Sequence, residues 1–174
     1  MSKIPRRLFK VVAWLAVLLG IEMVGWWAIP AWSITASSVS RATPQQIWSW
    51  YADTRDWPNW DHLVNRVESK GPFVTGTVGI SQSSGLTSSS KLADVRENIS
   101  YTEILRLPLA TLTATHELLP TPQGTRIKHG IRVAGPAAWV LYLVKREQLQ
   151  QGMNEAMHRL ATHAADGLPK QRIR

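Results

Sequence analysis

The hydrophobic pattern changes character as the chain proceeds. From Val11 to Ile29 the run VVAWLAVLLGIEMVGWWAI carries a single charge, Glu22. As a helix it would span about 28 Å, close to the thickness of a bilayer core. Pro30 stops it. Beyond Pro30 the pattern switches to period two: WSITASSVS alternates apolar and polar, with Ile34, Ala36 and Val39 as the inward set and an irregularity before Val39. TPQQ then opens a helix, with Thr43 suited to the N-cap and Pro44 to the first helical position. That helix places Ile47, Trp48 and Tyr51 at helical spacing. A second short helix is predicted from Pro58, with Trp60, Leu63 and Val64 on one face.

Strand signals fill the next seventy residues. RVESKG is a short strand, GPFVTG a turn, and GTVGISQSS a strand alternating through Val78 and Ile80. SSGLTSSS reads as a mobile polar loop at a cavity mouth. SKLADVREN, ISYTEILRL and LATLTATHEL are three more strands, separated at Asn98 and Pro108. LLPTPQGTR is a turn, RIKHGIRV the last strand, and Gly135-Pro136 ends it. A long helix follows from about Ala137 to Ala164, with Leu149, Met153, Met157, Leu160 and Ala164 along one side. Strands followed by one long helix indicate an α+β domain with an antiparallel sheet packed on that helix.

The stretch DTRDWPNWD, residues 53 to 61, holds three aspartates and two tryptophans. It lacks the glycine and terminal glutamate of a calcium loop, so architecture is favoured over a metal site, even with His62 adjacent. Asp53, Asp56 and Asp61 then cap and flank the short helices, Asp61 in a first turn where the helix dipole favours a carboxylate. Trp57 and Trp60 pack those helices against the sheet.

From Trp32 to about Ala165 the chain resembles the polyketide cyclase/dehydrase branch of the START-like, or helix-grip, superfamily. The likeness rests on ATPQQIWSWYADTRDWPNWD, on HELLPTPQGTRIKHGIRVAGP and on the long helix ending MHRLATHA. It implies a curved antiparallel sheet wrapped around the C-terminal helix, with a cavity for an apolar small molecule or lipid between them. It does not imply one activity, because one fold hosts many functions.

The last hairpin is where chemistry is expected. By period two, Leu112, Ala114, His116 and Leu118 share one face, and Ile127, His129, Ile131 and Val133 another. A turn centred on Pro122-Gln123 would set His116 opposite His129. Two imidazoles in an apolar cavity could bind a polar headgroup, share a proton or act as acid and base; the alternative is a pair of satisfied core residues. Tyr101 and Glu103 alternate together and would line the same cavity, although Ile104 argues for the other face. The rest of the expected wall is Trp57, Trp60, Trp139, Leu143 and Met153. His158 and His163 read as surface or helix-end residues. The first half of the long helix, AAWVLYLV, is apolar nearly all round, so the cavity, another subunit or the membrane must cover it.

Composition narrows the choice. The chain has nine tryptophans and no cysteine, which excludes disulfides, thiolate catalysis and Cys-ligated zinc. Lys3, Arg6, Arg7 and Lys10 precede the apolar run and supply half of the net charge of +8. Without a basic stripe interleaved with aromatics, nucleic-acid binding is not expected. The basic flank and the tryptophans Trp26, Trp27 and Trp32 suit a retained transmembrane anchor, with the N-terminus cytoplasmic and the domain on the outer, extracytoplasmic side. A cleaved signal peptide is less favoured: the run is long and no convincing small-x-small site follows. Glu22 reads as a residue near the interface rather than a partner contact. No G-x-S-x-G, phosphate loop, H-E-x-x-H or dinucleotide fingerprint is present, and no cofactor or metal is expected.

The expected organisation is an anchor at 1–30, a START-like domain at 31–167 and a basic tail at 168–174. The expected function is binding or transfer of a hydrophobic small molecule or lipid. The alternatives are a cyclase or dehydratase using His116 and His129, and an interaction domain with a collapsed cavity.

Overall fold

The computed structural model describes residues 6–83 and 86–167. An apolar helix α1 (Arg6–Ala28) leads into β1 (Ala31–Ser40). Helix α2 (Pro44–Ala52), a 3-10 turn (Thr54–Asp56) and the four-residue α3 (Trp57–Trp60) follow. Strands β2 (Val64–Ser69), β3 (Val78–Ser83), β4 (Leu86–Arg96), β5 (Ser100–Leu107), β6 (Ala110–Thr121) and β7 (Gly124–Ala134) come next. Helix α4 (Ala138–Asp166) closes the chain. The seven strands form one curved antiparallel sheet in the order β1-β7-β6-β5-β4-β3-β2, with α4 across it. This is the α+β helix-grip architecture expected.

Helix α4 is fastened to β1 at three levels. Trp32 Nε1 donates to the Ala138 carbonyl at 2.8 Å, Gln150 Nε2 to the Thr35 carbonyl at 2.9 Å, and Ser40 Oγ to the Ala161 carbonyl at 2.6 Å. Of the stripe that helical spacing predicted, Met153, Met157, Leu160 and Ala164 are buried and Leu149 is half-buried; Ala156 is buried beside them. Gly152 lets α4 approach closely, since a Cβ there would meet the Leu63 side chain.

Helix α2 begins as its sequence dictates. Gln46 N–H donates to Thr43 Oγ1, and Thr43 N–H donates to Gln46 Oε1, a reciprocal capping box with Pro44 behind the cap. Asp53 closes α2 and starts the 3-10 turn, accepting from Arg55 N–H. Asp56 stands at the N-cap position of α3, yet its carboxylate accepts from Asn59 rather than from the backbone.

Four expectations are corrected. Val39 faces outward and Ser40 inward, because β1 keeps strict alternation and the serine finds carbonyl and N–H partners inside. On β3, Val78 and Ile80 are exposed and Ser81 is buried. The second short helix ends at Trp60: Asp61 is its C-cap rather than a first-turn residue, and Val64 already belongs to β2. The serine-rich run, read as a mobile loop, is strand β4 from Leu86 onward, with Ser88 and Ser90 buried. Its residues 84 and 85, Lys3 of the basic flank and the 168–174 tail lie outside the described residues.

The β6–β7 turn needs glycine. Gly124 has φ +128°, and a Cβ there would run into the Ser40 carbonyl and the Arg41 backbone. Two substitutions should therefore rank in order under urea unfolding of the full chain in mild detergent. Thr43→Ala should cost about 1 kcal/mol, the usual worth of an N-cap. Gly124→Ala should cost more, since it adds backbone strain to a steric clash. Equal costs would show that the turn relaxes freely away from β1.

Candidate functional site

The register of three strand pairs builds one row across the sheet. Tyr101 on β5 pairs with His116 on β6, His116 with His129 on β7, and His129 with Ala36 on β1. All four face inward. The two histidines oppose each other because the turn does centre on Pro122-Gln123, with Thr121 opposite Gly124. The His116 ring lies flat on Tyr101, centroids 3.9 Å apart with 4° between planes, and meets His129 edge-on at 3.8 Å. Tyr51, from α2, stacks on His129, and its Oη lies 2.8 Å from His129 Nε2. Trp57 Nε1 donates to the Tyr51 carbonyl at 2.9 Å, so α3 holds α2 in place over the row.

Beneath this cluster lies a cavity of about 110 Å³ between the sheet and α4. Its walls include Trp57, Trp60, Tyr101, His116, His129 and Met153, with Asp61 and Glu103 also reaching it. Three buried polar atoms on these walls have no hydrogen-bond partner among the described residues: Trp60 Nε1, Tyr101 Oη and His116 Nδ1. A second, almost wholly apolar cavity of about 70 Å³ lies toward the first half of α4, bounded by Leu107, Val133, Leu141 and Lys145. Leu105, Leu112 and Leu149 border both. Ser83 borders both as well.

Burial sets the protonation of the site. Desolvation lowers His116 to about 3, against a smaller upward pull from the Tyr101 backbone. It also pushes His129 well below its usual value, helped by the neighbouring His116. Both imidazoles are thus neutral at physiological pH. Glu103 is raised to about 7 by desolvation, with a hydrogen bond from Ser90 holding it partly down. Asp61 is raised to about 6 by desolvation, opposed by the Leu63 N–H that its carboxylate accepts. The two histidines therefore add no charge, and the two carboxyl groups change charge state close to neutral pH. Among the described residues no three His, Asp or Glu side chains are disposed to hold a metal.

Nine of the thirteen residues named from sequence meet at this cavity: His116, His129, Leu112, Ala114, Ile131, Trp57, Trp60, Tyr101 and Met153. Four do not. Leu118 and Ile127 are inward but lie farther along the hairpin, in closed core. Trp139 turns to α1 instead, where its Nε1 donates to Glu22 at 3.1 Å, and Leu143 is exposed. Glu22 accordingly makes an interhelical contact, contrary to the interfacial reading. The ambiguity over β5 resolves toward Tyr101 and Glu103 inside, with Ile104 half-buried on the other face. Tyr51 and Asp61 were missed as site residues. Tyr51 carried a helical-face signal alone, and Asp61 resembled an ordinary cap. Of the two helix histidines, His158 is exposed as expected, and His163 rests against the Trp50 ring.

The shifts fix how stability responds to pH. Glu103 has a raised folded pKa, so the stability tied to its proton is complete below about 4.5 and lost as pH rises to about 7. His116 has a lowered one, so its contribution is complete above 6.5 and lost as pH falls toward 3. The two oppose each other between 4.5 and 6.5. Glu103→Gln should remove the loss on the alkaline side and raise stability at pH 8 by about 3 kcal/mol, from about 1.36 kcal/mol per unit. His116→Gln should flatten the acid limb instead. Urea midpoints between pH 4 and 8 read both. Unchanged slopes would mean that these side chains are hydrated in solution.

Comparison with known proteins agrees with this geometry. The family model described as polyketide cyclase / dehydrase and lipid transport matches residues 31–165. Among solved structures, Ara h 8.0201 superposes with a TM-score of 0.62 at 14% identity, over 79% of this chain and 99% of that one. The di-domain ARO/CYC protein BexL, of the BE-7585A biosynthetic pathway, gives 0.62 at 15% identity, over 83% of this chain and 52% of its own length. TTHA0849 from Thermus thermophilus gives 0.61 at 13% identity, over 77% and 97%. No curated protein matches by sequence. At these identities the structural neighbours speak for the fold alone, whereas the family match spans most of the sequence: this chain belongs to the polyketide cyclase / dehydrase and lipid transport family.

Proposed function

We propose that this protein is a membrane-anchored binding or transfer domain for a hydrophobic molecule that carries one polar end. The observation behind this reading is a trio of buried atoms without partners among the described residues, Trp60 Nε1, Tyr101 Oη and His116 Nδ1, on the wall of one chamber. An unsatisfied buried polar group costs about 1–3 kcal/mol, so a ligand that pairs with all three is strongly favoured over an apolar one. An indole N–H, a phenol and a neutral imidazole suit a carbonyl or hydroxyl oxygen, not a phosphate or other full charge. The chamber, at about 110 Å³, is smaller than a cavity of ~150 Å³ that binds benzene, so it suits the compact polar end of a ligand rather than the whole of a large one. A longer tail would pass between Leu105, Leu112 and Leu149 into the apolar chamber along α4. The proposed organisation is an anchor at 1–30, the binding domain at 31–167 and a basic tail at 168–174, with the domain on the extracytoplasmic side.

One observation favours an enzyme as a second reading. Asp61 and Glu103, with values of about 6 and 7, share the chamber with two neutral histidines. Carboxyl groups that titrate near neutral pH are suited to give or take a proton in a dehydration or cyclisation, with the neutral imidazoles positioned to hydrogen-bond the reacting oxygen.

The experiment is mass spectrometry of solvent extracts from the full-length chain purified in mild detergent. A lipophilic, oxygen-bearing molecule should be enriched with the native chain and depleted with Ala114→Leu, which fills the chamber. Equal recovery from both would place the molecule in the detergent shell and sink the proposal. If nothing is enriched, the domain does not retain a ligand and an interaction role takes precedence. His116→Gln with His129→Gln should weaken retention without abolishing it, since it removes one of the three partner atoms and leaves Trp60 Nε1 and Tyr101 Oη. A dehydrated or cyclised product formed by the native chain but not by this double variant would establish the enzyme.

A further inference from the structure

We propose that the end of the domain where α4 begins is a bilayer-docking surface, set at a fixed depth in the membrane by its contact with α1. This rests on the anchor reading above and extends it from the helix to the domain itself.

Among its described side chains, helix α1 is exposed except for one stripe. Glu22, Gly25 and, just past the helix end, Ile29 are its half-buried positions, at i, i+3 and i+7. Glu22 and Gly25 meet α4. Trp139 donates to Glu22 Oε2 at 3.1 Å, and its indole lies so close to Gly25 that a Cβ there would overlap the ring. The apolar segment Lys10–Ala28 has the length and composition to cross a membrane. Glu22 lies six residues inside its far end, about 9 Å at 1.5 Å per residue. Trp139 is therefore held level with the apolar part of the span rather than beyond it.

What surrounds Trp139 matches that depth. Val140, Leu143 and Val144 form an exposed stripe at i, i+3 and i+4 on α4, with Leu143 67% and Val144 64% exposed. The stripe stops abruptly: Lys145, Arg146, Glu147 and Gln148 follow, and Arg146 sits over the Tyr142 ring. Basic side chains one turn above an apolar stripe reach toward headgroups. The β5–β6 turn comes to the same end, where the Leu109 carbonyl accepts from Ala137 N–H and its side chain is 69% exposed. Gly135 N–H donates to the Pro30 carbonyl, tying the α1–β1 junction to this corner. Trp27, 88% exposed, completes the apolar rim. Exposed apolar groups on two separate elements, continuous with a helix of spanning length, fit lipid as the occupant. The apolar chamber bounded by Leu107, Leu141 and Lys145 lies at this end too, so a lipid-soluble ligand would meet the cavity without crossing water.

The absence of cysteine makes the test direct. Single cysteines at Leu109, Leu143 and Val144, and at Val39 and Gln123 on the opposite end, would be labelled with a nitrobenzoxadiazole fluorophore in the full-length chain. The labelled chains would be reconstituted in phosphatidylcholine/phosphatidylglycerol vesicles. Labels at 109, 143 and 144 should show a blue-shifted emission, quenching by doxyl lipids and loss of quenching by iodide. Those at 39 and 123 should show the reverse, although Val39 is itself an exposed apolar residue. Gly25→Leu should return the 143 and 144 labels toward water while the chain still floats with vesicles. Co-flotation with water-exposed labels at 143 and 144 would overturn the docking while leaving the anchor intact. Failure to float would overturn both. Labels shielded from both quenchers would mean that protein, such as a second copy, covers the face, and would also overturn it. Extracts of the same preparations report ligand separately, so the cavity reading stands or falls on its own.

Discussion

The site depends on strand register more than on any single contact. Tyr101, His116, His129 and Ala36 are cross-strand neighbours in one unbroken row, fixed by the β5–β6, β6–β7 and β1–β7 pairings. A slip of one residue in any of these would turn that strand's contribution to the outer face. The protection against slippage is local. Gly124 permits a turn that seats the β6–β7 hairpin against Ser40, and the Thr125 hydroxyl donates to the Ala42 carbonyl at 2.8 Å. The same corner thus fixes the hairpin and the route into α2, which delivers Tyr51 to His129.

Two imidazoles, two phenols and two carboxyl groups sit in a region otherwise built from tryptophan and leucine. Much of the cost of burying them is offset by hydrogen bonds, and what is left falls on the unpartnered atoms. Tyr51 and His129 satisfy one another, Glu103 has Ser90, and Asp61 accepts the Leu63 N–H. The aromatic rings add stacked and edge-on contacts that hold the polar atoms at fixed directions. Rigidity of this kind is what a recognition site for a weakly polar ligand needs.

How much was legible in the sequence follows the strength of each pattern. Alternation in LTATHEL and RIKHGIRV, with a countable turn between them, was enough to oppose His116 and His129. The Thr43 N-cap of α2 and most of the buried stripe of α4 were equally plain, whereas the reciprocal bond from Gln46 was not read. Serine defeated the reading on β1, β3 and β4, because Ser40, Ser81, Ser88 and Ser90 take inward positions that hydropathy assigns to Val39, Val78 or Ile80 or to a loop. Asp61 was misplaced because a short Pro-started helix has no sequence mark for an end after four residues. The Glu22–Trp139 contact joins residues 117 apart and had no local trace.

The three hydrogen bonds from Trp32, Gln150 and Ser40 have a mechanical meaning. All of them join α4 to β1, one long side of the helix. Along the opposite side, α4 faces β5 and β6 across the apolar side chains of Leu105, Leu112 and Leu149. Apolar contacts slide and separate without breaking directional bonds, whereas the β1 side must pivot about its attachments. The β1 side of the helix is therefore held by directed bonds, and the leucine side by packing alone. A bulkier occupant of the chamber would be accommodated more easily by shifts on the leucine side than on the side bonded to β1.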